Sequence, residues 1–283
     1  MTRFFLKIVF LLLFVTVLSS CVNLQHVNNF SSASLESIKK FEVINYSFNQ
    51  SCLDNCMTKK MNDLNLEARE CDCLSDKTAD SVTLLIYHAI KGYLGGLACL
   101  SRNDLTNYKT DALTKALTTI DLGSIKIEKK QVDAYSNISK ILLRAFTDKY
   151  RRHKIGEYVK EGNEPLSVLI RYLDFNLSAN LTGKLNVQKQ RLRETYFDLT
   201  KDQTLSMFDK RNVVTAYYER LDQIEAKQNE LATYSKALKK IVLGHQKLTD
   251  NLSSINKDNI KEQLTRDASD IQDIIPEFNK ISN

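Results

Sequence analysis

Glycine and proline are scarce. Average usage would place about 20 Gly and about 14 Pro in a chain of this length; the 283 residues hold 8 and 2. These residues make turns, bulges and loop corners, so their shortage argues against a turn-rich sheet fold and for long, rarely broken helices. Tryptophan is absent beside 12 Tyr and 12 Phe. Histidine is limited to His26, His88, His153 and His245. The residues three before them are Asn23, Leu85, Tyr150 and Val242, so the Glu-x-x-His spacing of di-iron bundles is missing. No H-E-x-x-H, G-x-S-x-G, G-x-x-x-x-G-K-[ST] or G-x-G-x-x-G occurs. Four scattered imidazoles argue against a Ser-His-Asp or Cys-His arrangement. The expectation is a non-enzyme, with no catalytic, cofactor-binding or metal-ligating residues. His245 falls on an apolar helical seam and reads as a core imidazole with satisfied nitrogens.

The chain is 43% hydrophobic and 26% charged, enough apolar content to bury a core rather than remain disordered. Its first residues carry a separate pattern. Arg3 and Lys7 precede an apolar run from Ile8 to Leu18, broken only by Thr16. That run is too short to span a bilayer, which takes about 20 apolar residues. Leu18-Ser19-Ser20-Cys21 follows. Charge, apolar run and box, in that order, resemble the signal peptide and lipobox of bacterial lipoproteins. The resemblance implies cleavage before Cys21 and lipidation of its thiol and new amine; two or three acyl chains anchor stably where one is marginal. Val22, not Asp, follows the cysteine. In a Gram-negative source the family's sorting rule then implies the outer membrane, facing the periplasm; in a Gram-positive source the anchor is the outer face of the plasma membrane.

Removing residues 1–20 takes Arg3 and Lys7 and no acid, leaving 38 basic against 34 acidic residues, a net charge of +4. Both signs alternate along the chain, the pattern of solvated helix faces. Lys149, Arg151, Arg152, His153 and Lys154 form the one dense basic cluster. Such a mild charge on an exported chain argues against nucleic-acid binding.

Lipidation uses one of six cysteines. Cys52, Cys56, Cys71 and Cys73 lie within 22 residues, and an exported chain meets an oxidising compartment. Cys52 and Cys56 share a helix face; Cys71 and Cys73 suit a loop. Four cysteines allow three connectivities. One of them, Cys52 with Cys73 and Cys56 with Cys71, would staple a short hairpin. A tetrahedral zinc site is the rival, though C-x3-C…C-x-C is not the usual knuckle spacing. Cys99 is left over, in an apolar segment where a buried inert thiol is expected.

Residues 21–34, rich in Asn and Ser, read as a lipid-anchored flexible tether. Ser34 is placed to cap a helix from Leu35. Residues 35–78 form the small cysteine-bearing helical part and residues 79–162 the first helices of the bundle. Within these, about Ala79 to Arg102 is apolar nearly all round and reads as a buried helix. His88 and Lys91 near its middle oppose a transmembrane reading. His88, Gly92, Gly95 and Cys99 form a stripe open to close approach. Asp104 to Asp121 reads as a polar-faced helix closed by Gly123, and Lys129 to Lys160 as another. Gly162 and Pro165 mark a stop and a restart. Residues 163–283 form a long helical hairpin and a C-terminal helix. Leu166, Leu169, Leu173, Leu177, Leu181, Leu185, Leu192, Tyr196 and Leu199 line its first arm. Val214, Tyr217, Leu221, Ile224, Leu231, Leu238, Val242 and His245 line its second, over about Thr204 to Asn251. The fold class is therefore all-α, an elongated up-down bundle of long antiparallel helices.

Tyr234-Ser235-Lys236-Ala237-Leu238 through Gly244-His245-Gln246-Lys247-Leu248 is similar to uncharacterised helical envelope lipoproteins of Gram-negative bacteria, a likeness that implies no activity. The leading expectation is a lipid-anchored binding or scaffold lipoprotein. Its partners would be the membrane, through the anchor, and an envelope protein or cell-wall component. A protective lipoprotein (immunity or exclusion) and a membrane-active helical protein are the alternatives.

Overall fold

The computed structural model describes residues 24–44, 46–64, 71–102, 128–147, 154–252 and 258–276. Among the described residues there is no strand. The order is α1 (Gln25–Ile38) with a 3-10 turn over Lys39–Val43, α2 (Phe48–Asn62), α3 (Leu74–Arg102), α4 (Lys129–Thr147), α5 (Ile155–Asp174), a π-helical segment (Phe175–Leu181), α6 (Thr182–Lys201), α7 (Met207–Asp250) and α8 (Asp258–Gln272). The all-α bundle with a small cysteine-bearing helical part is what the structure shows.

The longest element, α7, has 44 residues and opens on a capping box. Ser206 Oγ accepts from the Asp209 amide and the Asp209 carboxylate accepts from the Ser206 amide, each at 3.2 Å, satisfying two orphan donors of the first turn. The run α5–π–α6 is continuous and lies antiparallel to α7. Asn163 meets Gln246, Asp174 meets Lys239, Asn186 meets Gln228, Lys189 meets Glu225 and Tyr196 meets Tyr217, one index rising as the other falls.

The π segment follows from the leucine spacing. Leu169, Leu173, Leu177, Leu181 and Leu185 recur every four residues and all are buried. A four-residue step overshoots the 3.6-residue turn by about 40°, so such a stripe winds around an ideal α-helix. A wider π turn absorbs the overshoot and keeps the leucines on the core side. Asn176 in this turn donates from Nδ2 to Thr83 Oγ1 of α3 at 3.3 Å.

Around the C-terminal half of α7 the core closes. α1 lies against α3, α7 and α8, and α5 lies against α3, α4 and α7. Tyr87, Ile90, Tyr93 and Leu94 of α3 are fully buried. By length and composition α3 is apolar enough to cross a membrane, but 67% of its apolar window is buried inside the protein. On its small-residue stripe Gly95 is buried, Gly92 and Cys99 are half-buried and His88 is exposed.

Four expectations are corrected. Residues 25–34 are not tether but helix: Val27, Phe30, Ala33 and Ile38 are buried, and Ser31 donates from Oγ to the Val27 carbonyl at 2.7 Å. Small residues there pack closely, and Ser34 lies buried within α1 rather than capping a helix from Leu35. The single helix over Lys129–Lys160 is two, because α4 and α5 pack on each other, Lys130 near Glu164 and Arg144 paired with Glu161. α4 ends at Thr147 and α5 begins at Ile155. Gly162 and Pro165 do not end a helix, so the 162/163 boundary falls inside α5. Gly162 is a notch: a Cβ there would collide with the Tyr93 side chain. Asp104–Asp121 and Gly123 lie outside the described residues.

Candidate functional site

The four clustered cysteines form two disulfides, Cys52–Cys73 and Cys56–Cys71, with Cα–Cα separations of 5.9 and 6.1 Å. This is the nested connectivity, and it removes the zinc reading because all four sulfurs are bonded. Cys52 and Cys56 lie one turn apart on α2, and Cys71 and Cys73 lie in the non-helical stretch before α3. α2 is also held at its start: the Asp80 carboxylate of α3 accepts from the amides of Phe48 and Asn49 at 2.8 and 2.9 Å, an anion at a helix N-terminus. Cys99 belongs to neither disulfide. Cys21, its box and most of the basic cluster lie outside the described residues; Lys154 precedes α5.

His245 is the buried hub of a polar chain that runs from the core to the surface. Tyr93 lies 2.9 Å from Nε2, and Asn163 Oδ1 lies 2.9 Å from Nδ1. The Asn163 amide nitrogen donates to Gln246 Oε1 at 2.5 Å, and Gln246 donates to Asp250 at 2.7 Å. The directions of those bonds assign the tautomer: Nδ1–H donates to Asn163, and Nε2 accepts from the Tyr93 hydroxyl. Both nitrogens are satisfied, as a neutral core imidazole requires. Burial pushes His245 down to about 3 and Tyr93 well above its ordinary range. The chain links α3, α5 and α7 and carries no nucleophile.

Two surfaces stand out among the described residues. One is the closed end of the α6–α7 hairpin, where Met207 and Phe208 are 73% and 72% exposed and Phe197 is 56% exposed. Lys201 Nζ sits 3.9 Å above the Phe197 ring. Burying such a side chain is worth about 1.5–3 kcal/mol, so this tip offers a covering partner much apolar area. It also has a defined place relative to the N-terminal residues. Phe30 of α1 packs at Gly244, where a Cβ would lie 2.6 Å from its ring, and Tyr234 donates to the Ile38 carbonyl at 3.0 Å. α1 therefore runs antiparallel to α7, and Gln25 enters at the end opposite the tip. At about 1.5 Å per residue the 44 residues of α7 span about 65 Å.

The other surface is a cleft of about 300 Å³ between α2, α6 and α7. Leu192 and Ile224 are its buried floor, and Met57 and Met61 its flexible wall. Three basic side chains, Arg191, Arg220 and Lys227, line it against one acid, Asp54. Asp54 is taken: it accepts from Gln50 at 2.8 Å and lies 4.0 Å from Lys227. Arg191 reaches Asn55 Oδ1 at 3.5 Å and Arg220 reaches Met61 Sδ at 4.0 Å, both neutral acceptors. Among the described residues neither guanidinium has a carboxylate partner. The two disulfides fix α2, and Asn62 donates to Thr195 of α6 at 3.1 Å.

Sequence reasoning singled out none of Arg191, Arg220, Met57, Met61, Phe197, Met207 or Phe208 as functional. The cleft draws on three helices, so no spacing along the chain announces it. Phe197 does leave a signal: it is a large apolar residue off the stripe that Leu192 and Tyr196 continue. Among the described residues no group of three or more His, Cys, Asp or Glu side chains is placed to hold a metal ion. No family model matches the chain, and no curated protein or solved structure is significantly similar to it.

Proposed function

We propose that the chain is a lipid-anchored, non-enzymatic helical lipoprotein of the bacterial cell envelope, acting as a binding or scaffold protein. Its anchor is Cys21, and Val22 favours the outer membrane with the domain in the periplasm. The observation that carries this reading is the polarity of the molecule. The described chain begins at one end, and the exposed apolar tip of Phe197, Met207 and Phe208 stands at the other, about 65 Å along α7. An anchor at the first end presents the tip away from its own membrane, to an envelope protein or cell-wall component. The burial of α3 supports this above membrane activity.

Two measurements test it. Radiolabelled palmitate is incorporated into the chain and the label disappears in Cys21→Ala; label that survives the substitution ends the anchor. A photo-crosslinking residue at position 208 gives a discrete envelope adduct that one at exposed Gln272 does not. Identical adduct patterns from both positions count against the tip.

A further inference from the structure

The cleft between α2, α6 and α7 combines features that solvated helix faces lack. Its floor is apolar, its wall carries two of the four methionines in the chain, and two arginines stand over it without a carboxylate partner. Methionine conforms to an apolar ligand of varied shape. A guanidinium has five donors in a planar fork that matches a carboxylate or phosphate. Here most of those donors are unspent, since the hydrogen bonds of Arg191 and Arg220 within the protein are one long bond to an amide oxygen and one to sulfur, while the Arg220 guanidinium also lies 5.9 Å from the centre of the Tyr196 ring, a contact that uses its face and not its N–H groups. The volume is at the lower end for a small-molecule site, enough for a head group and a short stem.

We infer that this cleft binds a small anionic amphiphile. The carboxylate or phosphate head sits on Arg191 and Arg220, and an alkyl stem lies on Leu192 and Ile224 beneath Met57 and Met61. Lys227 offsets Asp54, which Gln50 also holds, so the two guanidiniums leave the cleft net positive. The two disulfides hold α2 against the start of α3 and so keep the methionine wall in place. This inference does not depend on the lipid anchor: the cleft is built entirely from residues 54–61, 188–192 and 220–227.

The methionines give a site-resolved test. They are Met1, Met57, Met61 and Met207, two in the cleft and one at the hairpin tip. The full chain, labelled with methyl-¹³C methionine, is titrated with hexyl phosphate, hexanoate and 1-hexanol at fixed ionic strength. The Met57 and Met61 methyl signals move saturably with at least one anion, and the Met207 signal stays put. Binding weakens about tenfold or more in Arg191→Gln/Arg220→Gln, whose helical circular dichroism is unchanged, because charge-assisted bonds to the head are lost. The alcohol binds about tenfold more weakly than the better anion, for the same reason. Tighter binding of hexyl phosphate assigns a phosphate head, and tighter binding of hexanoate a carboxylate. Equal affinity for the alcohol, unchanged affinity in the double variant, no saturable shift, or equal movement of Met207 overturns the inference.

Discussion

Tyr93 on α3 and His245 on α7, 152 residues apart in sequence, share a buried hydrogen bond of 2.9 Å. The ring of Tyr93 lies in the space left by the missing side chain of Gly162 on α5. One contact therefore ties three helices at the centre of the bundle, and it depends on a glycine, a phenol and a neutral imidazole together.

Gly162→Ala forces a methyl group into the Tyr93 ring. The core there is fully buried and has little room to give, so the substitution costs about 1–3 kcal/mol although alanine favours helix. Tyr93→Phe beside it recovers only part, because ring carbons as well as the hydroxyl meet the new Cβ. Urea midpoints of the four members of the cycle check this; full recovery in the double variant would contradict it.

Stability falls with acid, and His245 sets much of the slope. In the unfolded chain the imidazole titrates near its ordinary 6.5, whereas in the fold burial holds it down at about 3. The unfolded state thus takes up a proton that the folded state refuses. The contribution is complete above pH 6.5 and is lost as pH falls from there toward 3. Between pH 7.5 and 5 the loss from this group is about 2 kcal/mol. His26 and His88 are lowered too, by burial first and then by Lys261 and Lys91 respectively, and act in the same direction. The quantity to measure is the difference in slope between the natural chain and His245→Gln, which is less stable at pH 7.5 but flatter. Parallel slopes would remove His245 from the account.

Pro165 lies inside α5, where it leaves the Glu161 carbonyl without its helical donor. Pro165→Ala supplies that donor. A proline in a helix interior costs about 3 kcal/mol relative to alanine, part of it offset by a stiffer unfolded chain. The variant unfolds at higher temperature, by a few degrees. A lower melting temperature would show that α5 needs the proline's geometry.

Reduction acts locally. The two disulfides close loops of 21 and 15 residues at the edge of the bundle, each worth about 3 kcal/mol in the chain-entropy model. Non-reducing mass spectrometry finds the chain lighter than its reduced form by four hydrogens. After reduction, amide exchange accelerates over Phe48–Asn62 while Leu231–Leu248 of α7 stays protected. Uniform acceleration of both would mean that the disulfides hold the whole fold.

Much of this architecture was legible in the sequence. Few turn formers foretold long helices, and the apolar face from Val82 to Leu100 and most of the leucine and tyrosine rhythm of the hairpin carried through as periodicities within one helix; Leu199 and Val214, near the hairpin tip, are instead 39% and 42% exposed. The failures share a cause. Asn and Ser over residues 25–34 look like a linker by composition, yet Ser31, Ser34 and Ser37 are small enough to pack, and Ser31 returns its hydroxyl to the helix backbone. Gly162 and Pro165 look like punctuation, yet the glycine answers to a tyrosine on another helix. Arg191 and Arg220 are indistinguishable in sequence from any solvated charge. Only the placement of α2 beside α6 and α7 makes a cleft of them.

The hairpin beyond the core behaves as a ruler. The tip lies on paired helices that run into the core, one arm through the π segment and the other as a single α-helix, so turns between the tip and the π segment can change in number without repacking Tyr93, Gly162 or His245. Removing one matched heptad from each arm, two turns of helix, shortens the reach by about 10 Å and returns both seams to nearly the same face. The distance at which the tip is held is therefore a quantity that selection can adjust by insertion and deletion, independently of what the tip binds.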